Sequence, residues 1–272
     1  MRISPIVGAV CAALVSGLAS PATAQYYGAQ SNRATGETYH VEIQGGFWNP
    51  SPELSLAVDF LDVVGTEFDL RNDLGIEKAR FGDFRLVLRP ARKHKLRFSY
   101  IPIEYEAESV LRREIVFNGV RYPVGLPVNT TFEWKAWRVG YEYDFIYRDR
   151  GFLGLIVEAK WTDVNAGIAS PLATEVTTVK APIPALGLIG RAYVAPNVAL
   201  TGEFTGFHLP GDLFEDDTAG SYYDFDVYGT LNFTDNVGVS AGFRSITVTY
   251  RKDADFGDFK MRGPYLAAVV RF

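Results

Sequence analysis

The sequence predicts an all-β chain, an antiparallel up-and-down β-barrel that crosses a membrane with about ten strands, eight and twelve being the alternatives. Three observations carry this. Apolar residues recur at every second position through most of the chain, which is the period of a strand and not of a helix. Aromatic residues make up 14% of the chain, yet no stretch approaches the roughly 20 apolar residues of a helical span. The chain also ends on "YLAAVVRF", in which Leu266, Ala268, Val270 and Phe272 keep one face apolar to the last residue.

The first segment, residues 1–24, reads as an export signal. Arg2 supplies the charge, Ile6 to Leu18 the apolar run, and Ala22-Thr23-Ala24 the small-residue cleavage site. Cleavage is expected before Gln25. Cys11, the one cysteine, lies in the apolar run, so residues 25–272 hold no thiol, disulfide or cysteine metal site. Removing Arg2 leaves 26 Lys and Arg against 32 Asp and Glu, a net charge of −6, which argues against a nucleic-acid partner.

The strands follow in order, each with its apolar face set against a polar one. Val41 and Ile43, with Tyr39 before them, oppose His40, Glu42 and Gln44. Phe84, Leu86 and Leu88 oppose Asp83, Arg85 and Arg89. Leu96, Phe98 and Tyr100 oppose Arg97 and Ser99. Trp137, Val139, Tyr141, Tyr143 and Phe145 oppose Arg138, Gly140, Glu142 and Asp144. Leu153, Leu155, Val157, Ala159 and Trp161 oppose Gly154, Glu158 and Lys160. Leu186, Leu188, Ala192 and Val194 oppose Gly187, Arg191 and Tyr193. Val198, Leu200 and Phe204 oppose Thr201, Glu203 and Thr205. Tyr223, Phe225, Val227, Leu231 and Phe233 oppose Asp224, Asp226, Thr230 and Asn232. Val237, Val239, Ala241 and Phe243 oppose Ser240 and Arg244, and the final strand closes the set. Pro102 and Pro264 sit awkwardly in strands that need both hydrogen-bonding edges. After Arg244 the apolar residues Ile246, Val248 and Tyr250 fall one step late, which predicts a bulge near Ser245.

Links alternate in length. Short ones run over 90–95, 147–151, 195–197 and 234–236, long ones over about 49–78, 108–131, 166–180 and 210–220, and a shorter one over 252–256. The first long link is too apolar for a loose loop and is expected to form a β extension or cap. The segment "REIVFNGVRYPVG" is expected to form a hairpin above the membrane. With the leader, the paired alternation and the aromatic ending, the chain resembles the bacterial outer-membrane β-barrel proteins. The resemblance implies short periplasmic turns, longer extracellular loops, an outer-membrane location and contact with outer-membrane lipid. It also implies that Leu266, Ala268, Val270 and Phe272 are read by the barrel-assembly machinery.

Charges this dense cannot face lipid, where one at the midplane costs about 2–4 kcal/mol. Glu42, Asp83, Arg85, Arg97, Arg138, Glu142, Glu158, Lys160, Arg191, Glu203, Asp224, Asp226 and Arg244 are therefore expected to form a charge network in the lumen. Reflection about the turn at Asp149 sets Glu142 opposite Ile156, Gly140 opposite Glu158 and Arg138 opposite Lys160. Arg138 is then expected to lean toward Glu158, and Glu142 toward Arg85 or Arg97. This favours a barrel plugged by paired charges, with a structural or envelope-interaction role. A narrow passive pore for small solutes is the alternative.

Enzyme chemistry has little support. Of His40, His94 and His208, only His208 stands near acids at the outer rim, namely Asp212, Glu215, Asp216 and Asp217. A rim hydrolase using His208 as base is the remote alternative. No phosphate loop, zinc-protease motif or calcium loop is present, so no cofactor or metal is expected.

Overall fold

The computed structural model describes residues 34–57, 68–69, 73–75, 79–117, 119–210, 219–252 and 255–272. The segment expected to be an export signal lies outside them. Ten strands close an antiparallel barrel. In order around the wall they are β1 (Val41–Trp48), β4 (Phe81–Ala91), β5 (His94–Val110), β8 (Pro127–Arg148), β9 (Gly151–Ala169), β10 (Thr174–Ala195), β11 (Val198–Leu209), β12 (Ala219–Asn232), β13 (Val237–Lys252) and β14 (Asp255–Arg271). β14 returns to pair with β1, from Glu42 opposite Arg271 to Trp48 opposite Tyr265. Four short strands lie at the end away from the tight turns. β2 (Ser51–Ala57) extends the sheet along β14, β3 (Phe68–Asp69) pairs with β2, and β6 (Ile115–Phe117) with β7 (Val120–Tyr122) makes a hairpin.

The polarity of the wall inverts part-way up. Across β5, β8, β9 and β10, Tyr100, Trp137, Trp161 and Pro182 stand in one outward row. Toward the turns, the outward residues below this row are apolar: Tyr141, Val139, Leu155, Val157, Leu186 and Leu188 are all at least 40% exposed. The next row toward the loops is Pro102, Lys135, Asp163 and Lys180, and the one beyond it Glu104, Glu133, Asn165 and Thr178. The interior changes at the same height. Arg138 and Lys160 are buried below it, whereas Trp134, Phe132, Val128, Ile168, Ile103 and Ile101 are buried above it. A wall that meets an apolar medium below this row and water above it would produce this inversion. Where the outside is apolar, charges must turn inward and pair. Where the outside is polar, the strands bury an ordinary apolar core.

That loop-end core is continuous. Trp48, Phe81, Ile246, Met261 and Tyr222 from the other half of the barrel pack with Ile103, Phe132 and Trp134, and the hairpin adds Ile115, Phe117 and Tyr122. Phe132 stacks on Phe259 at 5.6 Å, and Phe81 meets Tyr105 edge-on at 5.0 Å. The excursion carrying the hairpin is pinched at its neck, where Leu111 N donates to Leu126 O and Gly125 N to Leu111 O.

This inversion corrects several expectations. The register of β12 with β13 runs unbroken past Ser245, and Ile246 points inward, 1% exposed. There is no bulge, because the strand keeps its phase while the interior turns apolar. The bulges lie at the turn end instead, between Leu88 and Ala91, Asp144 and Ile146, and Tyr193 and Ala195. Most of the long link at 166–180 is strand, since β9 and β10 pair out to Ala169 and Thr174. The link at 108–131 shrinks to residues 111–126 for the same reason. Within 49–78 the described part includes the β extension made by β2 and β3. Residues 211–218 of the fourth long link lie outside the described residues.

The prolines also find their explanation. The β4–β5 ladder stops at Phe84 opposite Tyr100, so Pro102 lies where β5 has a partner on one side, β8. The β10–β11 ladder begins at Leu186, which leaves Pro182 and Pro184 on a similar free edge. Pro264 falls in the gap between the last β1 pair, at Tyr265, and the first β2 pair, at Arg262. Prolines on unpaired edges lose no ladder bond and discourage the pairing of another strand.

Candidate functional site

The interior of the turn-end half is the candidate site. Strand alternation supplies it, because inward residues two apart on neighbouring strands come within ion-pair reach. Among the described residues nine carboxylates are buried there, and eight cationic side chains, with Arg97 a ninth at 14% side-chain exposure. Most join one connected cluster. Arg85 bonds Asp83 at 2.8 Å and Asp226 at 2.7 Å. Arg244 bonds Asp224 at 2.7 Å and stands 3.9 Å from Asp83. Arg138 reaches Asp224 at 3.0 Å and Glu203 at 3.4 Å, and its Nε donates to Ser99 Oγ. Lys160 bonds Glu158 at 2.7 Å and Asp224 at 3.3 Å. Arg97 bridges Glu142, at 2.8 Å, to Glu203. Lys95 holds Glu142 at 2.6 Å and Asp144 at 2.9 Å.

The reflection about Asp149 is matched by the ladder: Glu142 faces Ile156, Gly140 faces Glu158 and Arg138 faces Lys160. The expected Arg138–Glu158 ion pair is present, though it is not the nearest contact of either residue. Their separation is 3.9 Å, and each has a nearer partner, Asp224 and Lys160 respectively. Asp224 reaches them from across the lumen on β12, a contact that reasoning along one hairpin cannot supply. Glu142 does meet Arg97, while Arg85 turns to Asp83 and Asp226.

The turn-end mouth is covered by the segment before β1. Thr35 N donates to Pro196 O, Gly36 N to Asp235 Oδ1, and Asn232 Nδ2 to Thr35 O. Glu37 enters the lumen, where its Oε2 accepts from Tyr193 Oη at 2.9 Å and lies 3.4 Å from Arg191. Arg89 Nη1 donates to the Glu37 carbonyl at 2.6 Å. Tyr39 lies beneath Arg89 and Arg271, and Arg271 is ion-paired with Glu42. Expected to face inward, His40 instead is exposed, with Nδ1 3.2 Å from Arg89 O. The strand phase starts only at Val41, so it does not govern the strap.

Glu37, Lys95 and Arg271 were not among the expected network residues. Lys95 falls in the turn predicted over 90–95, although alternation back from Arg97 reaches it. Arg271 shares the inward parity of Tyr265 and Ala267 on the last strand. Glu37 belongs to no strand, so no periodic signal marks it. Between the paired groups a cavity of about 30 Å³ remains, lined by Gln44, Arg85, Arg97, Arg138, Glu158 and Tyr228 among others. That is room for about one water.

His94 lies outside the lumen, with Nδ1 2.5 Å from Tyr141 Oη. His208 is exposed on the outer face of β11, opposite Ser221. The acids Asp212, Glu215, Asp216 and Asp217 lie outside the described residues. No metal-holding cluster of His, Cys, Asp or Glu occurs among the described residues. Leu266, Ala268 and Val270 point outward along β14, and Phe272, just past its end, is exposed. Phe272 O accepts from His40 N and Val41 N, and Phe272 N donates to Val41 O.

No protein-family model and no curated protein matches the chain. Solved structures do. The outer membrane protease OmpT from Escherichia coli superposes with a TM-score of 0.59 at 9% identity, over 85% of this chain and 96% of that one. Ail, the attachment invasion locus protein of Yersinia pestis, matches at 0.39 and 10% identity over 85% and 97%. The toluene transporter TodX of Pseudomonas putida matches at 0.38 and 7% identity over 91% and 95%. The likeness to the first is one of fold, and this chain has the fold of the bacterial outer-membrane β-barrels.

Proposed function

We propose that the protein is an integral barrel of the bacterial outer membrane, closed to solutes, with a structural or envelope-interaction role. The exterior belt below the Tyr100–Trp137–Trp161 row would face lipid, the tight turns the periplasm and the loop end the exterior. One observation carries the reading: among the described residues, the strap at Ala34–Tyr39, the paired charges and the apolar core beneath the β6–β7 hairpin follow one another through the interior, leaving the cavity of about 30 Å³ between the charges. Near-equal numbers of buried acids and bases give no net field to favour either ion sign.

Single-channel recording of the refolded protein in planar bilayers tests this. A closed barrel gives silence at moderate voltage. Steady, ohmic conductance would replace the closed reading with the narrow pore. Release of cleaved peptide from a broad library, abolished by His208→Ala, would instead favour a rim hydrolase.

A further inference from the structure

Among the tight turns of the turn end, the positive charge lies on one side. The β4–β5 turn carries Arg92 and Lys93, and the neighbouring β8–β9 turn carries Arg148 and Arg150, all exposed, with Asp149 the one acid between them. The β10–β11 turn at 195–197 carries no charge, and the β12–β13 turn at 233–236 carries only Asp235. The two basic turns are joined structurally. Asp144 N donates to Lys93 O at 2.9 Å, and the Arg92 guanidinium lies 5.3 Å from the centre of the Tyr147 ring. Arg150 is tied back to β10, its Nη2 donating to Tyr193 O at 3.2 Å. Directly above these turns, the outer wall of β8 presents Tyr141, Tyr143, Phe145 and Ile146, each 37–47% exposed, with His94 hydrogen-bonded to Tyr141.

We infer that this rim binds an anionic glycerophospholipid of the periplasmic leaflet. The inference rests on the outer-membrane reading and adds a named lipid site to it. The aromatic wall takes the acyl chains and glycerol, and the cations take the headgroup phosphate. Both features are needed at one height, because exposed cations attract an anionic surface only within about a Debye length. A soluble polyanion would use the cations but not the adjoining aromatic wall. Among the described residues the loop-end lysines stand beside acids: Lys180 is paired with Asp163 at 3.0 Å, Lys135 stands 3.7 Å from Glu133 and Lys260 3.7 Å from Glu53.

The test uses the full-length barrel in phosphatidylcholine bilayers containing spin-labelled phosphatidylglycerol or spin-labelled phosphatidylcholine. The motionally restricted fraction is read by electron paramagnetic resonance. Each exposed cation near an anionic surface is worth roughly a five-fold preference, so a preference for the anionic label of at least several-fold is expected, falling as salt rises. The variant R92Q/K93Q/R148Q/R150Q should lose it, while K135Q/K180Q at the other end keeps it. Equal restriction of both labels, or equal loss in both variants, overturns the site. Retained lipid preference in the rim variant, with lost binding to purified peptidoglycan sacculi, would assign the cations to a carboxylate polymer and also overturn it. A barrel that inserts and shifts on unheated gels but shows no preference defeats this site alone. One that fails to insert defeats the membrane reading with it.

Discussion

Asp224 is where the lumen network is most exposed to a single change. Its carboxylate holds Arg244 through Nε at 3.0 Å and Nη2 at 2.7 Å, Arg138 at 3.0 Å and Lys160 at 3.3 Å. Asp224→Asn keeps the shape and removes the charge. Arg138 retains Glu203, and Lys160 retains Glu158. Among the described residues, the one acid left within 4 Å of Arg244 is Asp83, at 3.9 Å. The cost is therefore that of one stranded buried cation, about 3 kcal/mol, at the lower end of the range for breaking a buried pair. Urea unfolding in lipid vesicles, followed by tryptophan fluorescence, reads it. With a slope of roughly 2 kcal/mol/M, the midpoint should fall by about 1.5 M. If the stranded cation is the cause, Arg244→Gln in the same chain should cost much less than the two single losses added together. A midpoint shift under about 0.2 M, or strict additivity, would refute a network centred on Asp224.

Other substitutions test the closure. A Cβ at Gly46 would run into the backbone of Leu266 and Ala267 across the β1–β14 seam. Gly46→Val should thus destabilise the barrel by about 1–3 kcal/mol and weaken heat-modifiable migration on gels. Glu37→Ala removes the acceptor of Tyr193 and the partner of Arg191. Amide exchange at the strap residues 35–39 should speed up by at least ten-fold, while amides of β8 and β9 stay protected. Deleting Phe272 removes the backbone acceptor and donor that bind Val41. Insertion in cells should fall more than refolding in detergent, and equal losses would indicate destabilisation alone.

How much was legible depends on which rule governed each residue. Alternation placed Arg138, Glu158, Asp224 and Arg244 inward, because a period of two holds along a whole strand. It also gave the Arg138–Lys160 register, since a tight turn fixes its own hairpin. Alternation alone is silent about medium, and this caused the Ser245 error. The sequence predicts Ile246 and Val248 as an outward apolar face displaced by a bulge, whereas the strand keeps its phase and the interior turns apolar there. The row Lys135, Asp163 and Lys180 carries that signal in the sequence, once the three strands are aligned. Contacts across the lumen, such as Asp224 with Arg138, depend on which strands face each other through the barrel. Nothing local encodes that. Glu37 was hidden because it lies in irregular chain.

The polarity inversion is the central claim, and a cysteine scan along β8 tests it most directly. Residues 25–272 contain no cysteine, so each substitution gives one probe. Outward positions Tyr143, Tyr141, Val139 and Trp137 should carry nitroxides accessible to oxygen dissolved in lipid and shielded from a water-soluble nickel reagent. Outward Lys135, Glu133 and Thr131 should reverse that order, while inward Ala136, Trp134, Phe132 and Thr130 should be shielded from both. If lipid accessibility continues unchanged through Lys135 and Glu133, or if the inward residues above Arg138 meet the nickel reagent freely, the wall does not invert and the closed, two-storey interior is wrong.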